Sequence, residues 1–176
     1  LVVAKHKRRL IIDAMSAFGA IPLSTKTCQF EALMASSNKC LEGVPGIGFS
    51  LIRIESLKEC EGNSQSLSLD LFDQWRAMEA NAQWRFTPPT HVIMALNSAI
   101  EQFFEEGGVL GRHKRYSENC NTLISGMAQL GFKPLLKSHL QAPIIVTFKM
   151  PKDPNFDFLQ FYNGLKNKKF IIYPGK

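Results

Sequence analysis

The chain has 176 residues, 45% of them hydrophobic and 20% charged, with a formal net charge of +6. That composition argues against a disordered chain, and the length suffices for one good core, or one domain with part of another. No apolar run approaches the ~18 residues of a membrane helix, and no signal-peptide order is present, so a soluble, intracellular (cytoplasmic) protein without a membrane partner is expected.

The excess positive charge gathers at Lys5 to Arg9 and at Lys166 to Lys169 with Lys176. These clusters are not interleaved with aromatic residues along one face, and no nucleic-acid partner is expected. Four cysteines (Cys28, Cys40, Cys60 and Cys120) lie far apart with no CxxC pair, which fits free thiols rather than a disulfide framework. His6, His91, His113 and His139 are scattered without ligand spacing, and no metal site is expected. The opening apolar run and the strand-like close at Phe170-Ile171-Ile172-Tyr173 both look cut, so a piece of a longer chain is expected.

In chain order, strands and helices alternate. Arg9 to Asp13 is a short apolar run ending in an acid, which predicts a buried parallel strand. Ala32 to Ser36 and Gly48 to Ile54 are further strand candidates, and Glu55 to Glu61 a short polar helix stopped by Gly62-Asn63. Ser68 to Ala80 has helical spacing, and Pro88-Pro89-Thr90 opens a long helix running through His91 to Glu106. After Gly107-Gly108, Val109 to Leu130 predicts a helix closed by Gly131. Leu135-Leu136, Ile144 to Phe148 and Phe170 to Tyr173 look like strands, and Asp157 to Lys168 like a helix. The fold class is therefore α/β, with residues 1–106 part of one domain and 107–176 part of a second.

The chemistry concentrates in the first fifty residues. Asp13 closes a strand, at the sheet edge where open α/β folds place their ligands; a turn or helix cap is the alternative. Lys39 follows the next strand among small polar neighbours, Ala35-Ser36-Ser37-Asn38. A lysine in such a setting can attack a carbonyl to form a Schiff base. An acid for a pyridinium nitrogen together with a Schiff-base lysine is what pyridoxal 5'-phosphate (PLP) needs. Gly43-Val44-Pro45-Gly46-Ile47-Gly48 precedes its strand, so it predicts a tight turn rather than a dinucleotide loop. Ser36-Ser37-Asn38-Lys39 also fits S-x-x-K, but the S-D-N and K-T-G partners of serine acylases are missing.

Several longer strings resemble one family. Asp13-Ala14-Met15-Ser16-Ala17-Phe18-Gly19, Ser36 to Gly46, Ser66 to Arg76, Trp84 to His91 and Ile172-Tyr173-Pro174-Gly175-Lys176 are similar to segments of 2-aminoethylphosphonate–pyruvate aminotransferases. The Asp73-Gln74-Trp75-Arg76 stretch points to this branch rather than to the alanine–glyoxylate aminotransferases. The resemblance implies part of a PLP-dependent fold type I transferase, residues 1–106 belonging to its PLP-binding large domain and 107–176 to its small C-terminal domain. It implies transfer of the amino group of 2-aminoethylphosphonate to pyruvate, giving phosphonoacetaldehyde and L-alanine, in a homodimer. Carried over, Lys39 holds PLP and shuttles the proton, Asp13 pairs with the pyridine nitrogen and Met15 lies against the ring. Asn38 sits beside the cofactor, and Thr87 reaches the PLP phosphate of the neighbouring subunit. The family's phosphate cup, its ring-stacking aromatic residue and its substrate-binding arginine fall outside these strings. Weak PLP binding and little turnover are therefore expected of this chain alone. An alanine–glyoxylate or serine–pyruvate type of aminotransferase, or a non-catalytic module of the same ancestry, is the alternative.

Overall fold

A computed structural model describes residues 2–175. The chain divides into two compact units, Leu1–Lys114 and Arg115–Lys176.

The first unit is built on a three-stranded sheet of order β1-β2-β3, with β1 Ile11–Asp13, β2 Ala32–Ser36 and β3 Gly48–Ile52. β1 runs parallel to β2, pairing Ile11 with Ala32 and Asp13 with Met34. β3 runs antiparallel to β2, pairing Ala32 with Ile52 and Ser36 with Gly48. Because side chains alternate along a strand, the sheet has two distinct faces. One carries Leu33 and Ala35, which with Ala14 form a buried cluster covered by Ile12, Phe18, Phe30 and Phe49. Phe18 meets Phe49 edge-on, ring centroids 5.3 Å apart. Met34 and Ser36 belong to the opposite face, together with Met34's partner Asp13.

The other regular elements of this unit are helices, joined by turns and loops. After the short α1 (Val2–Lys5), α2 (Ile54–Lys58) follows β3 directly, ending that strand two residues before the predicted boundary. Asp70 caps α3 (Leu71–Asn81), its side chain accepting from the Asp73 N–H, which starts the helix three residues later than its apolar spacing suggests. Pro88 and Pro89 lead into α4 (Thr90–Glu105). Gly107 and Gly108 both have positive φ, and α5 (Gly108–Gln129) begins there.

In the second unit α5 ends near Gly131, and Asp157 caps α6 (Phe158–Asn167) by accepting from the Gln160 N–H. Phe132, Phe156 and Phe161 cluster with centroids 5.5–6.3 Å apart, Phe132 stacked on Phe161 and edge-on to Phe156. A single 3-10 turn, Ser138–Leu140, has no counterpart among the predicted elements.

Three expectations need correction. β1 is parallel as predicted but not buried: it lies at the sheet edge, and Ile11 is 63% exposed. Leu135-Leu136 and Ile144 to Phe148 approach as a pair, with Leu135 N–H donating to Thr147 O and Lys149 N–H to Lys133 O, but amount to one bridge, Pro134 with Phe148. Phe170 to Tyr173 forms no strand, because its backbone finds no ladder partner among the described residues. An apolar run supplies β-propensity, but a strand also needs a neighbour.

Candidate functional site

Asp13 is the last residue of β1, and Lys39 lies three residues beyond the last residue of β2. Parallel pairing of those strands puts both residues at the same, carboxyl edge of the sheet. Asp13 is exposed, and its Oδ1 accepts the Met15 N–H at 3.0 Å, so the acid also shapes the turn that follows it. Lys39 is exposed, and among the described residues its ammonium makes no hydrogen bond or ion pair.

The loop around Lys39 is held tightly even though the amine is not. The Ser37 hydroxyl donates to Val44 O at 2.6 Å, and the Gly43 N–H donates to Ser37 O at 2.8 Å. The Glu42 N–H donates to Lys39 O, closing a turn in which Glu42 adopts φ 61°. Gly43-Val44-Pro45-Gly46-Ile47-Gly48 is the return to β3, and the Ser37 N–H donates to Ile47 O across it. A Cβ on Gly43 would lie 2.9 Å from Ser37 O, so this turn can close only around glycine.

Cys40, next to the lysine, is the junction of three segments. Its thiol donates to Ser16 O at 3.2 Å in the turn after Asp13. Its carbonyl accepts from Arg112 Nη1 of α5 at 2.5 Å. Cys40 is 3% exposed, and that burial pushes its thiol pKa up; the Glu42 charge adds to the rise, while Arg112 and Lys39 oppose it.

Met15 sits in the turn after Asp13 with a half-exposed side chain, and Asn38 is exposed beside Lys39. Thr87 is exposed in the segment joining α3 to α4, and no hydrogen bond links it to Asp13 or Lys39. Ser36 closes β2 instead of opening a helix, so the serine-acylase arrangement is absent. Its hydroxyl is buried and has no hydrogen-bond partner among the described residues. Such a group is costly unless something completes it. No group of three or more His, Cys, Asp or Glu able to hold a metal occurs among the described residues, and none of their helices is long and apolar enough to cross a membrane.

Sequence reasoning passed over Arg112. It is the fifth residue of α5 and reaches Cys40 across 72 residues, so no local pattern marked it.

The model of the family described as Aminotransferase class-V matches residues 2–164. The chain belongs to the class-V aminotransferase family. Among curated relatives, 2-aminoethylphosphonate–pyruvate transaminase 2 of Burkholderia lata is 55% identical over 175 residues, covering 99% of this chain and 46% of that protein. A 2-aminoethylphosphonate–pyruvate transaminase of Pseudomonas entomophila is 54% identical, covering 99% and 48% respectively. The chain thus spans just under half the length of these relatives. Among solved structures, an aspartate aminotransferase from Thermus thermophilus superposes with TM-score 0.82 at 16% identity, covering 97% of this chain and 47% of that one. An alanine–glyoxylate aminotransferase from Nostoc sp. gives 0.79 at 15%, covering 95% and 44%. At such identities the likeness shows the fold, which is part of the fold type I aminotransferase architecture.

Proposed function

We propose that this chain forms part of a PLP-dependent aminotransferase that moves the amino group of 2-aminoethylphosphonate to pyruvate, yielding phosphonoacetaldehyde and L-alanine. The observation that carries this is the pairing of Asp13 and Lys39 at one edge of parallel strands, in a chain 55% identical to a protein named for that reaction. The family implies PLP, and the residues suit it: an amine for its aldehyde, a carboxylate for its ring nitrogen, and the unpartnered Ser36 hydroxyl for a further polar atom. When bound, PLP supplies a ring that accepts the electron pair released at the substrate's amine-bearing carbon.

The chain's own residues do the rest. Lys39 Nζ holds the cofactor and carries a proton to and from the reacting carbon. The Asp13 carboxylate would accept a hydrogen bond from the ring nitrogen and favour its protonated form. Met15 would lie against the ring and Asn38 beside it, and Thr87 would serve the phosphate of a second subunit in a homodimer. Residues 1–106 belong to the PLP-binding large domain and 107–176 to the small domain of a cytoplasmic enzyme. The sequence likeness to the phosphonate enzymes favours them over the alanine–glyoxylate type, for which the fold alone speaks.

The test is to add PLP to the chain, reduce with borohydride and locate the adduct by mass spectrometry. Labelling is expected at Lys39 and lost in Lys39→Ala; equal labelling of that variant refutes the assignment. Alanine formation from 2-aminoethylphosphonate and pyruvate is expected to be slight with this chain alone, and robust turnover would contradict that. In an assembled enzyme, serine or alanine outcompeting 2-aminoethylphosphonate as donor would favour the other branch.

A further inference from the structure

We propose that Arg112 is a positioning residue that fixes the path of the Lys39 loop and so aims the amine; this rests on Lys39 being the cofactor lysine. The side chain of Arg112 is 2% exposed, the least exposed charged group among the described residues. Its fork meets three partners. Nε donates to Glu106 Oε2 at 2.6 Å, Nη1 donates to Cys40 O at 2.5 Å, and Nη1 also lies 3.5 Å from Glu42 Oε2. The guanidinium stands 5.3 Å from the centre of the Phe103 ring. Taking a cation out of water is expensive unless its geometry is well met, so a buried arginine persists where its fork has fixed partners.

Two of those partners belong to the lysine turn itself, Cys40 one residue after Lys39 and Glu42 three residues after it. The Cys40 thiol in turn donates to Ser16 O, in the turn that follows Asp13. Arg112 therefore ties the lysine loop to α5, and through Cys40 to the segment carrying the acid. No hydrogen bond or ion pair among the described residues restrains the Lys39 side chain, so its direction is inherited from the backbone, which Arg112 pins to α5 and the Ser37, Glu42 and Gly43 bonds hold within the loop. A lysine at position 112 keeps the charge opposite Glu106 but is a point donor, and cannot span Glu106 and the Cys40 carbonyl together.

The experiment compares borohydride-trapped PLP labelling of Lys39 with that of Lys58, an exposed lysine ending α2, in the full 176-residue chain and in Arg112→Lys. The ratio reads loop geometry and is not moved by a simple loss of stability under native conditions, which a thermal melt records separately. A near-normal melt with a fall in the Lys39:Lys58 ratio of about tenfold supports the proposal. An unchanged ratio overturns it and leaves the Lys39 assignment standing, since the unaltered chain is still labelled there. Should Arg112→Lys fail to fold, Glu106→Leu with Arg112→Met removes both charges together, a replacement that buried pairs commonly tolerate; the same ratio is read with the same two outcomes. If the unaltered chain labels Lys39 no faster than Lys58, the cofactor assignment fails and the role of Arg112 fails with it.

Discussion

Replacing Gly111 by alanine sets two effects of known size against each other. Within a helix, alanine is favoured over glycine by about 1 kcal/mol. At Gly111, however, a Cβ would lie 1.8 Å from the carbonyl oxygen of Glu106. Carbon and oxygen in favourable contact stand about 3.3 Å apart, so the junction of α4 and α5 would have to open by about 1.5 Å. That opening would stretch the Arg112–Glu106 contact from 2.6 Å to about 4 Å, the outer limit of an ion pair. Overpacking costs about 1–3 kcal/mol, and the weakened Glu106 contact adds to that, although the Cys40 carbonyl and Glu42 still meet the guanidinium. The clash therefore outweighs the helix gain, for a net destabilisation of about 1–3 kcal/mol. Gly126 lies in the same helix with nothing within 4 Å of its built Cβ. Gly126→Ala should thus gain about 0.5–1 kcal/mol. Urea unfolding followed by far-ultraviolet circular dichroism measures both. Gly111→Ala matching or exceeding the unaltered chain would refute the account of this junction.

Three further outcomes are expected. Leu33→Ala removes the centre of the sheet's buried cluster and should destabilise by about 2–5 kcal/mol in the same assay. Asp70→Ala deletes the cap that accepts the Asp73 N–H and should cost about 1 kcal/mol, with little change of activity in an assembled enzyme. Cys40, its thiol pKa raised chiefly by burial, should react with iodoacetamide at neutral pH more slowly than exposed Cys60, the gap closing in urea; faster modification of Cys40 would be contrary. Because the folded chain holds the Cys40 proton where the unfolded chain has released it, this group's contribution to stability is complete below about pH 8.5 and is lost as pH rises through the folded value. Cys40→Ala should therefore flatten the alkaline fall in stability.

The sheet was legible because its strands declare themselves locally. Ala32 to Ser36 is bounded as predicted, and Asp13 and Lys39 were marked by their places after apolar runs. Helix starts were legible to within a few residues, since Asp70, Pro88-Pro89 and Gly107-Gly108 are short-range signals. What failed depends on partners distant in sequence. Ile11 reads as core but lies at an edge, because burial of a strand is decided by what packs on it. Ile144 to Phe148 has strand-like residues yet meets its neighbour at one bridge. Arg112 reaches Cys40 across 72 residues, a separation at which no periodicity operates.

The lysine turn shows how a flexible side chain can be placed without being touched. Ordering one residue's backbone costs about 1–2 kcal/mol, and here that cost is offset by bonds made at Ser37, Cys40, Glu42 and Gly43. A free lysine side chain carries about 2 kcal/mol of rotamer entropy. Had the turn gained its order from a salt bridge to Lys39, that same bridge would have to break before the amine could react. Placing the restraint on the neighbours avoids the conflict: the Cys40 carbonyl takes the arginine, the Ser37 hydroxyl spans the loop, and the amine is left without a competitor. The same division would let Asp13 serve both the Met15 N–H and the proposed cofactor, since one oxygen holds the turn while the other keeps its acceptor capacity. Asp13→Asn keeps an oxygen for the Met15 N–H but loses the carboxylate's charge, so the turn should survive while retention of PLP falls. Loss of the fold in that variant would mean that the acid's main work is structural.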